Sequence, residues 1–371
     1  MLRRCFCAGL SAGLVSRVAA QALESPPWAK AMEGLRQQHG LPALAAAMVN
    51  AQGAQAMAVC GLRKQGATPA VRLEDLWHLG SNTKAMTATL AALAVQEGLL
   101  RWDSSLGEVF ARETRRHQSP LAKASLTQLL SHGSGLPANA PWGLLNAAGE
   151  GQLRAQRRAA LELALRQTAL PAPGSRHEYS NWGYVLAGHM LEEVWQSSWE
   201  DLMRRRLFAP LGMVQGGFGG VGSEGRLDQP WPHAASGEPM PINGPKMDNP
   251  ALLGPAGTVH LCLADWARFI AEHLAGRAGH GTLLKTKAAY EKLHQPAQEG
   301  SPHALGWLSV PRRWGGQVLN HNGSNTMNHS VAWLAPERGF AVIACTNSGS
   351  PKAAKALDEL VGLLIAGRAK S

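Results

Sequence analysis

Charged residues are scarce in this 371-residue chain, at 17%, whereas apolar residues make up 45%. That balance excludes a disordered chain and a coiled coil, because both need more charge and less apolar surface. The 41 glycines and 22 prolines follow no collagen-like period, and no repeat recurs along the chain. The composition is that of a globular protein with a large core, and its length suggests about two structural regions.

The chain also lacks a cysteine framework and metal-binding motifs. Besides Cys5 and Cys7 near its start, it has Cys60, Cys262 and Cys345, which lie among apolar neighbours. Three thiols cannot all pair, and free thiols in apolar surroundings pack as small buried hydrophobes, so no disulfide framework is implied. CxxC and HExxH are absent and the 14 histidines show no ligand spacing, so we expect no metal site and no cofactor.

The first 22 residues are typical of an export signal. An arginine pair at positions 3 and 4 precedes a weakly apolar stretch over residues 5–15, and residues 20–22 match an A-x-A cleavage site. The stretch is too short to span a bilayer. The sequence RRCF resembles a twin-arginine signal and favours a periplasmic or secreted location. A mitochondrial transit peptide is the alternative, because Arg17 interrupts the stretch and no acid precedes Glu24.

The basic excess gives no sign of a nucleic-acid partner. Without residues 1–22 the chain has 33 basic and 26 acidic residues, a net charge of +7. The excess is dispersed in short clusters, with no aromatic-interleaved stripe, zinc finger or RNA-binding signature. We expect solvated helix faces, with weak attraction to an anionic envelope polymer as the alternative. The oligomeric state stays open.

Apolar periodicity predicts strands at both ends of the chain. A helix from Pro27 stops at Gly40, and two strands follow, over residues 43–49 and 55–62. Four strands are predicted at 307–310, 318–321, 330–334 and 340–346. The last is a continuous apolar run, typical of a central strand covered on both faces. Ser350 and Pro351 then open a final helix.

These patterns predict an α/β fold of the α+β type, in which an antiparallel sheet is flanked by the N- and C-terminal helices. Residues 23–80 and 294–371 form a sheet-and-helix region, and residues 81–293 form a large, mainly helical insertion. A Gly/Pro-rich stretch over 216–257 interrupts the helices. Long stretches of this kind are often functional, so we expect this one to overlie the site.

Ser81-Asn82-Thr83-Lys84 matches the S-x-x-K pattern, which gains weight from its context. Lys84 is the only formally charged residue between positions 78 and 96, in a segment whose apolar residues predict a buried helix. A buried lysine is rare unless it is paired or functional. Burial lowers its pKa, so it can take a proton from Ser81 one turn earlier. A capping serine beside a snorkelling lysine is the alternative.

Tyr179-Ser180-Asn181 follows a Pro/Gly loop and opens a helical pattern. A phenol near an ammonium is easier to ionise and can relay a proton, and the Asn181 amide can orient a carbonyl. Taken alone, this pattern is more often a packed ring beside an Asx-turn.

His321-Asn322-Gly323 ends a predicted strand. Gly323 would let a substrate approach the backbone, and the N–H of Ser324 would join that of Ser81 as an oxyanion hole. Taken alone, a strand-end histidine is more often structural.

The three motifs, in this order and at wide spacing, resemble the serine beta-lactamase and penicillin-binding superfamily: class C beta-lactamases, D-alanyl-D-alanine carboxypeptidases and related esterases. Blocks such as LTQLLSHGSGLP and PGSRHEYSNWGYVLAGHMLEEV extend the resemblance over most of residues 75–347. It implies one catalytic unit of the beta-lactamase/transpeptidase-like fold. In that unit Ser81 is acylated, Lys84 and Tyr179 transfer protons, and Asn181 orients the carbonyl.

The third motif departs from the class C pattern, in which a lysine stands at the position of His321. A lysine is a fixed cation suited to a substrate carboxylate, whereas histidine is largely neutral near pH 7 unless its pKa is raised. The departure favours an esterase or small-amide hydrolase over a beta-lactamase, with a peptidase acting on D-amino acid peptides in between.

The leading hypothesis is an exported serine hydrolase that acts through an acyl-enzyme on Ser81. Its partner is a small-molecule ester, a beta-lactam or a D-amino acid peptide. A non-catalytic binder of acylated ligands is the alternative from another class. Specificity is expected from the 216–257 stretch and from side chains such as Trp142, Trp182 and Trp231.

Overall fold

Residues from both ends of the chain form one six-stranded antiparallel sheet. The computed structural model describes residues 25–142, 152–167, 170–241 and 248–368. The strands of the sheet are β1 Ala43–Asn50, β2 Gly53–Gly61, β6 Leu308–Arg312, β7 Gly316–Ser324, β8 His329–Ala335 and β9 Phe340–Thr346. Their spatial order is β2-β1-β9-β8-β7-β6. The predicted export signal, residues 1–22, lies outside the described residues and stays a prediction.

Strand β9 is central, as its continuous apolar run predicts. It pairs with β1 on one side and β8 on the other, and all seven of its residues are buried. Its one polar side chain, Thr346, donates a hydrogen bond to the backbone carbonyl of Ala43 at 2.6 Å. A strand covered on both faces needs this composition, because an unpaired polar group there would be costly.

The two terminal helices cover one face of the sheet. They are α1 Ala29–His39, which ends at a left-handed Gly40 with a φ of +63°, and α12 Pro351–Arg368. The Ser350 hydroxyl accepts the backbone N–H of Lys352 at the start of α12, as an N-cap does. A separate apolar cluster lies between these helices and the sheet. The N- and C-terminal segments therefore build one layer, as the sequence predicts.

The segment between the sheet strands is rich in helices. They are α2 Thr83–Gln96, α3 Leu106–Val109, α4 Ala111–His117, α5 Leu126–Leu130, α6 Leu153–Leu165, α7 Asn181–Trp195, α8 Trp199–Leu202, α9 Gly254–Gly257, α10 Leu263–Arg277 and α11 Lys287–His294. Helix α10 packs against β1 and β2, on the face opposite α1 and α12. Among the described residues, no helix combines the length and the apolar content needed to cross a membrane.

A second, small sheet lies within this segment. Its strands are β3 Trp77–His78, β4 Gly217–Phe218 and β5 Val259–Leu261, in the order β3-β5-β4. An antiparallel sheet with many helices confirms the predicted fold class. The division into regions at residues 80 and 293 stays a prediction.

The three described cysteines differ in burial. Cys262 and Cys345 are buried, whereas Cys60, in the edge strand β2, is only half-buried, and none of the three is in a disulfide. The expectation of a buried thiol was therefore wrong for Cys60, because an edge strand has no neighbour to cover its outer side.

A buried ion cluster joins α6, α7 and α8. The fully buried guanidinium of Arg157 binds the carboxylates of Glu192 and Glu200. It also donates to the backbone carbonyl of Leu252 at 3.0 Å and of Ala251 at 3.4 Å. The cluster thus holds the backbone that leads into α9.

We expect replacement of Arg157 by methionine to lower the free energy of unfolding by about 3–5 kcal/mol, because two carboxylates would stay buried without their cation. Urea denaturation measures the loss. The matched control is Arg154→Met on the same helix, where the side chain is 37% exposed and lies 3.9 Å from Glu193. Its effect should stay below about 1 kcal/mol. Equal losses in the two variants would contradict this account.

Candidate active site

Ser81 lies in a single helical turn, Gly80–Asn82, that leads directly into α2. The Asn82 side-chain amide donates to the hydroxyl of Ser330 at 2.8 Å, and that hydroxyl donates to the carbonyl of Leu79 at 2.7 Å. Of these two partners of Ser330, Leu79 directly precedes the turn and Asn82 is its last residue. Strand β8 therefore fixes the position of the Ser81 backbone.

Two glycines allow the turn to lie directly against β7. Gly80 has a φ of +50°, and a Cβ built on it would lie 2.4 Å from the backbone nitrogen of Ser324. A Cβ on Gly323 would lie 1.9 Å from the carbonyl oxygen of Leu79. Gly323 therefore has a packing role that the sequence did not indicate, because the carbonyl of Leu79, just before the serine turn, occupies the space that a side chain would need. Its role in admitting a substrate stays a prediction. The same contact brings the backbone of Ser81 next to that of Ser324.

The amine of Lys84 is fully buried between three acceptors. Its Nζ lies 3.0 Å from Ser81 Oγ, 2.7 Å from Asn181 Oδ1 and 2.7 Å from the backbone oxygen of Ala256. Burial lowers the pKa of Lys84 well below its ordinary value. The contact with Ser81 that S-x-x-K predicts is therefore present, whereas nothing in the sequence pattern pointed to Ala256.

The protonation state of Lys84 decides what it can do to Ser81. Amide and carbonyl oxygens only accept hydrogen bonds, so Asn181 and Ala256 take two N–H donors. A neutral amine has two N–H groups, which leaves its lone pair directed at Ser81 Oγ. In this state Ser81 donates its proton to Nζ, and the geometry is that of a serine and its general base.

Tyr179 borders the same space. Its hydroxyl interacts with Ser81, and its ring centre lies 4.9 Å from Lys84 Nζ. Burial raises the pKa of Tyr179 to about 12, and the hydrogen bond with Ser81 opposes this rise. The expectation of a phenol that ionises easily was wrong. Because of its raised pKa, the phenol is protonated near neutral pH. The residue as a whole is 36% exposed, so it lies at the edge of the site.

Helix α7 begins at Asn181 and is positioned by a residue that the sequence motifs did not include. Ser180 caps the helix by accepting the N–H of Gly183, and the Ser180 N–H donates to Nδ1 of His132 at 3.0 Å. The His132 ring also stacks on the Tyr179 ring, with 4.3 Å between centres. His132 has a φ of +64° in the segment SHGSG. That block carried family resemblance, but nothing in it indicated contact with Tyr179.

Two further histidines that the sequence motifs missed lie beside His132. The rings of His177 and His303 stack at 3.9 Å, and both lie edge-on to His132. Burial lowers the pKa of His303 to about 4 and that of His132 well below its usual value. These rings are therefore neutral at pH 7. Within the described ranges, no group of three His, Cys, Asp or Glu side chains is arranged to hold a metal ion.

His321 of β7 is also neutral. Burial and the nearby Lys84 lower the pKa of His321 to about 3. Its Nδ1 lies 2.7 Å from the carbonyl oxygen of Asn322, so Nδ1 bears the proton and Nε2 is an acceptor. The lowered pKa of His321 agrees with the expectation from the sequence that this histidine is largely neutral near pH 7.

The tryptophans named from the sequence have different surroundings. Trp182 is 2% exposed and belongs to the core, so it cannot line a binding pocket. Trp231 packs against the side chain of Lys64. Trp142 donates to Asn139 Oδ1, which also accepts from the Asn181 amide at 2.9 Å. Of the three, Trp142 is the one joined by hydrogen bonds to a motif residue.

Replacement of Lys84 by methionine tests whether the buried amine is neutral. The unfolded chain binds a proton at Lys84 up to pH of about 10.4, whereas the folded chain releases it earlier because burial lowers its pKa. Stability of the wild-type protein should therefore rise with pH relative to the variant. The slope between the two pKa values is up to about 1.4 kcal/mol per pH unit.

Urea unfolding of both proteins from about pH 7 to pH 9 measures this difference. The control is Lys352→Met at the exposed start of α12, which should show no such slope. If the difference in unfolding free energy between wild type and Lys84→Met does not change with pH, Lys84 keeps its proton in the folded protein.

Comparison with known proteins gives a consistent result over nearly the whole chain. The family model described as Beta-lactamase matches residues 28–366. Penicillin-binding protein 4 of Amycolatopsis lactamdurans is 27% identical over 332 residues, which cover 87% of this chain and 85% of that protein.

Solved structures match at lower identity. A class C beta-lactamase from Rhodobacter sphaeroides has a TM-score of 0.72 at 20% identity, over 92% of this chain and 99% of that one. D-alanine carboxypeptidase AmpC from Burkholderia cenocepacia has a TM-score of 0.70 at 19% identity, over 90% of this chain and 97% of that one. At these identities the matches establish a shared fold.

Proposed function

This chain belongs to the beta-lactamase family and is a serine hydrolase, and from that premise we propose that it hydrolyses an ester or small amide that carries no carboxylate, through an acyl-enzyme on Ser81. The observation that carries the proposal is the buried amine of Lys84, 3.0 Å from Ser81 Oγ. A binding protein would not need a base in that position.

Acylation begins with proton transfer from Ser81 to Lys84. The amine is held by Asn181 and Ala256, so its lone pair is available only toward Ser81. The Ser81 oxygen attacks the substrate carbonyl carbon, and a tetrahedral intermediate forms. Backbone N–H groups of Ser81 and Ser324 would hold its oxyanion, which is consistent with the close approach of these segments.

Collapse of the intermediate breaks the bond to the leaving group, which needs a proton. Tyr179 supplies it, because its raised pKa keeps the phenol protonated and its hydroxyl interacts with Ser81. The ammonium of Lys84 then returns a proton to Tyr179. Water attacks the acyl carbon in the second half-reaction, with Lys84 again as the base, and Ser81 recovers its proton.

The neutral state of His321 supports the choice of substrate. Its pKa of about 3 means that the ring carries no charge at neutral pH, and Nε2 offers an acceptor. A substrate carboxylate would lose its hydration there without gaining a cation. A leaving group with an N–H or O–H donor, or an apolar one, fits this position better.

Hydrolysis by the purified protein should be fastest for a short-chain nitrophenyl ester, and slower for a chromogenic cephalosporin and a D-alanyl-D-alanine peptide. Ser81→Ala should reduce ester hydrolysis by at least about 10³-fold. Steady-state rates on the three substrates measure the order. Unchanged hydrolysis by Ser81→Ala would refute the acyl-enzyme. An adduct on Ser81 that forms and never turns over would favour a binding protein instead.

Substitution of His321 by lysine tests the basis of the preference. A fixed cation should raise kcat/KM for meta-carboxyphenyl acetate relative to phenyl acetate by about tenfold, the size of one charge-assisted hydrogen bond, about 1.4 kcal/mol. The control is His321→Gln, which stays neutral and should leave the ratio unchanged. A wild-type enzyme that already prefers the carboxylated ester would contradict the proposal.

A further inference from the structure

One buried carboxylate touches both segments that carry the proposed oxyanion donors. Asp248 Oδ2 lies 2.7 Å from Nε2 of His78, and Asp248 Oδ1 accepts from the side-chain amide of Asn325 at 2.9 Å. The side chains of Asp248 and His78 are 0% and 1% exposed. His78 precedes the serine turn, and Asn325 directly follows Ser324.

The first arm of this arrangement runs through His78 to the serine turn. The backbone N–H of Gly80 donates to Nδ1 of His78 at 3.1 Å. Nδ1 therefore bears no proton, so the proton lies on Nε2 and is donated to Asp248. The tautomer is fixed at both nitrogens. Since Gly80 is bonded directly to Ser81, this arm holds the peptide group that contains the Ser81 N–H.

The second arm runs through Asn325 to the end of β7. Asn325 Oδ1 accepts three hydrogen bonds, from the backbone N–H groups of Met327 and Asn328 and from the Asn328 amide, at 3.2, 2.9 and 3.1 Å. The amide of Asn325 cannot turn over without breaking all three. Its N–H is therefore directed at Asp248, and this arm holds the residue next to Ser324.

The two arms act on backbone segments that are packed directly against each other. A Cβ on Gly80 would lie 2.4 Å from the backbone nitrogen of Ser324, so a small shift of either segment changes the spacing of the two N–H donors. Asp248 faces a donor on each side. Only a carboxylate, which has an acceptor oxygen on each side, satisfies both at once.

We propose that Asp248 is a positioning residue that sets the distance between the Ser81 and Ser324 N–H groups by holding His78 and Asn325 together. The inference rests on the proposed function, because those N–H groups are its oxyanion hole. Asp248 does not touch the substrate. It should lower the free energy of the transition state, in which the oxyanion forms, and should change the affinity for the substrate little.

The test is Asp248→Asn. An asparagine has one acceptor oxygen, and the fixed amide of Asn325 cannot adapt, so one arm is lost. With a nitrophenyl ester we expect kcat to fall about 10–100-fold while KM changes less than about 3-fold. Affinity for phenylboronic acid, whose adduct with a serine mimics the tetrahedral intermediate, should fall by a similar factor.

The charge-conserving exchange Asp248→Asn with Asn325→Asp supplies a rescue. In this double variant the new amide donates to the new carboxylate and accepts from His78, and the carboxylate accepts the N–H groups of residues 327 and 328. We expect kcat within about threefold of wild type. The matched control is Asp265→Asn, a buried carboxylate that holds the Gln215 N–H at 2.8 Å, which should leave kcat unchanged.

Each outcome bears on the inference. A folded Asp248→Asn protein with unchanged kcat would overturn it, as would a double variant that folds and stays as slow as the single one. If the single variant does not fold, the double variant alone tests the inference: a kcat near that of wild type supports it, and a reduced kcat overturns it. Failure of the proposed function is separate, because it would show as hydrolysis by Ser81→Ala whatever Asp248 does.

Discussion

The site depends on keeping the amine of Lys84 away from water. Three segments do this together: α2 carries the lysine, α7 supplies Asn181 and α9 supplies the carbonyl of Ala256. Burial costs folding free energy, because a group that prefers to be charged is held where its pKa is low. Packing of the largely apolar α2 offsets that cost. Reactivity of the serine and stability of the helical region are therefore coupled, and a change that admits water to Lys84 would weaken both the base and its orientation.

The parts of the fold and of the site that could be predicted from the sequence are those with a local signal. Strand β9 was evident from its apolar run, and the Ser81–Lys84 pair was evident because one helical turn joins them and no other charge lies nearby. Contacts whose partner is supplied by long-range packing could not be predicted. The carbonyl of Ala256 has no side-chain signature, and the stacking of His132 on Tyr179 depends on how a loop returns to α7. Asp248 lies 170 residues from His78 in the chain, and no spacing rule connects them.

The error about Tyr179 has a physical cause. An ammonium beside a phenol lowers the pKa of the phenol, and that was the basis of the expectation. The same burial that encloses the pair lowers the pKa of Lys84, which weakens the Coulombic support for a phenolate, and burial also disfavours the phenolate directly. The two effects cannot be treated as independent when both groups share one dry environment. The packing of Leu79 against Gly323 could not be predicted for a related reason, since a glycine marks a close approach without indicating which group approaches.

Burial lowers the pKa of the histidines around the site as it lowers that of Lys84. Burial keeps the rings of His132, His303 and His321 uncharged near neutral pH. These rings therefore supply no positive charge to bind an anionic substrate in the ground state. In the proposed reaction, negative charge develops on the carbonyl oxygen only during attack, and the backbone N–H groups of Ser81 and Ser324 are the donors proposed to meet it. Interactions that strengthen only in the transition state are those that accelerate a reaction. Because backbone N–H groups cannot adjust by rotating a side chain, their spacing must be built into the fold, and the contacts around Gly80, Gly323 and Asp248 provide that rigidity.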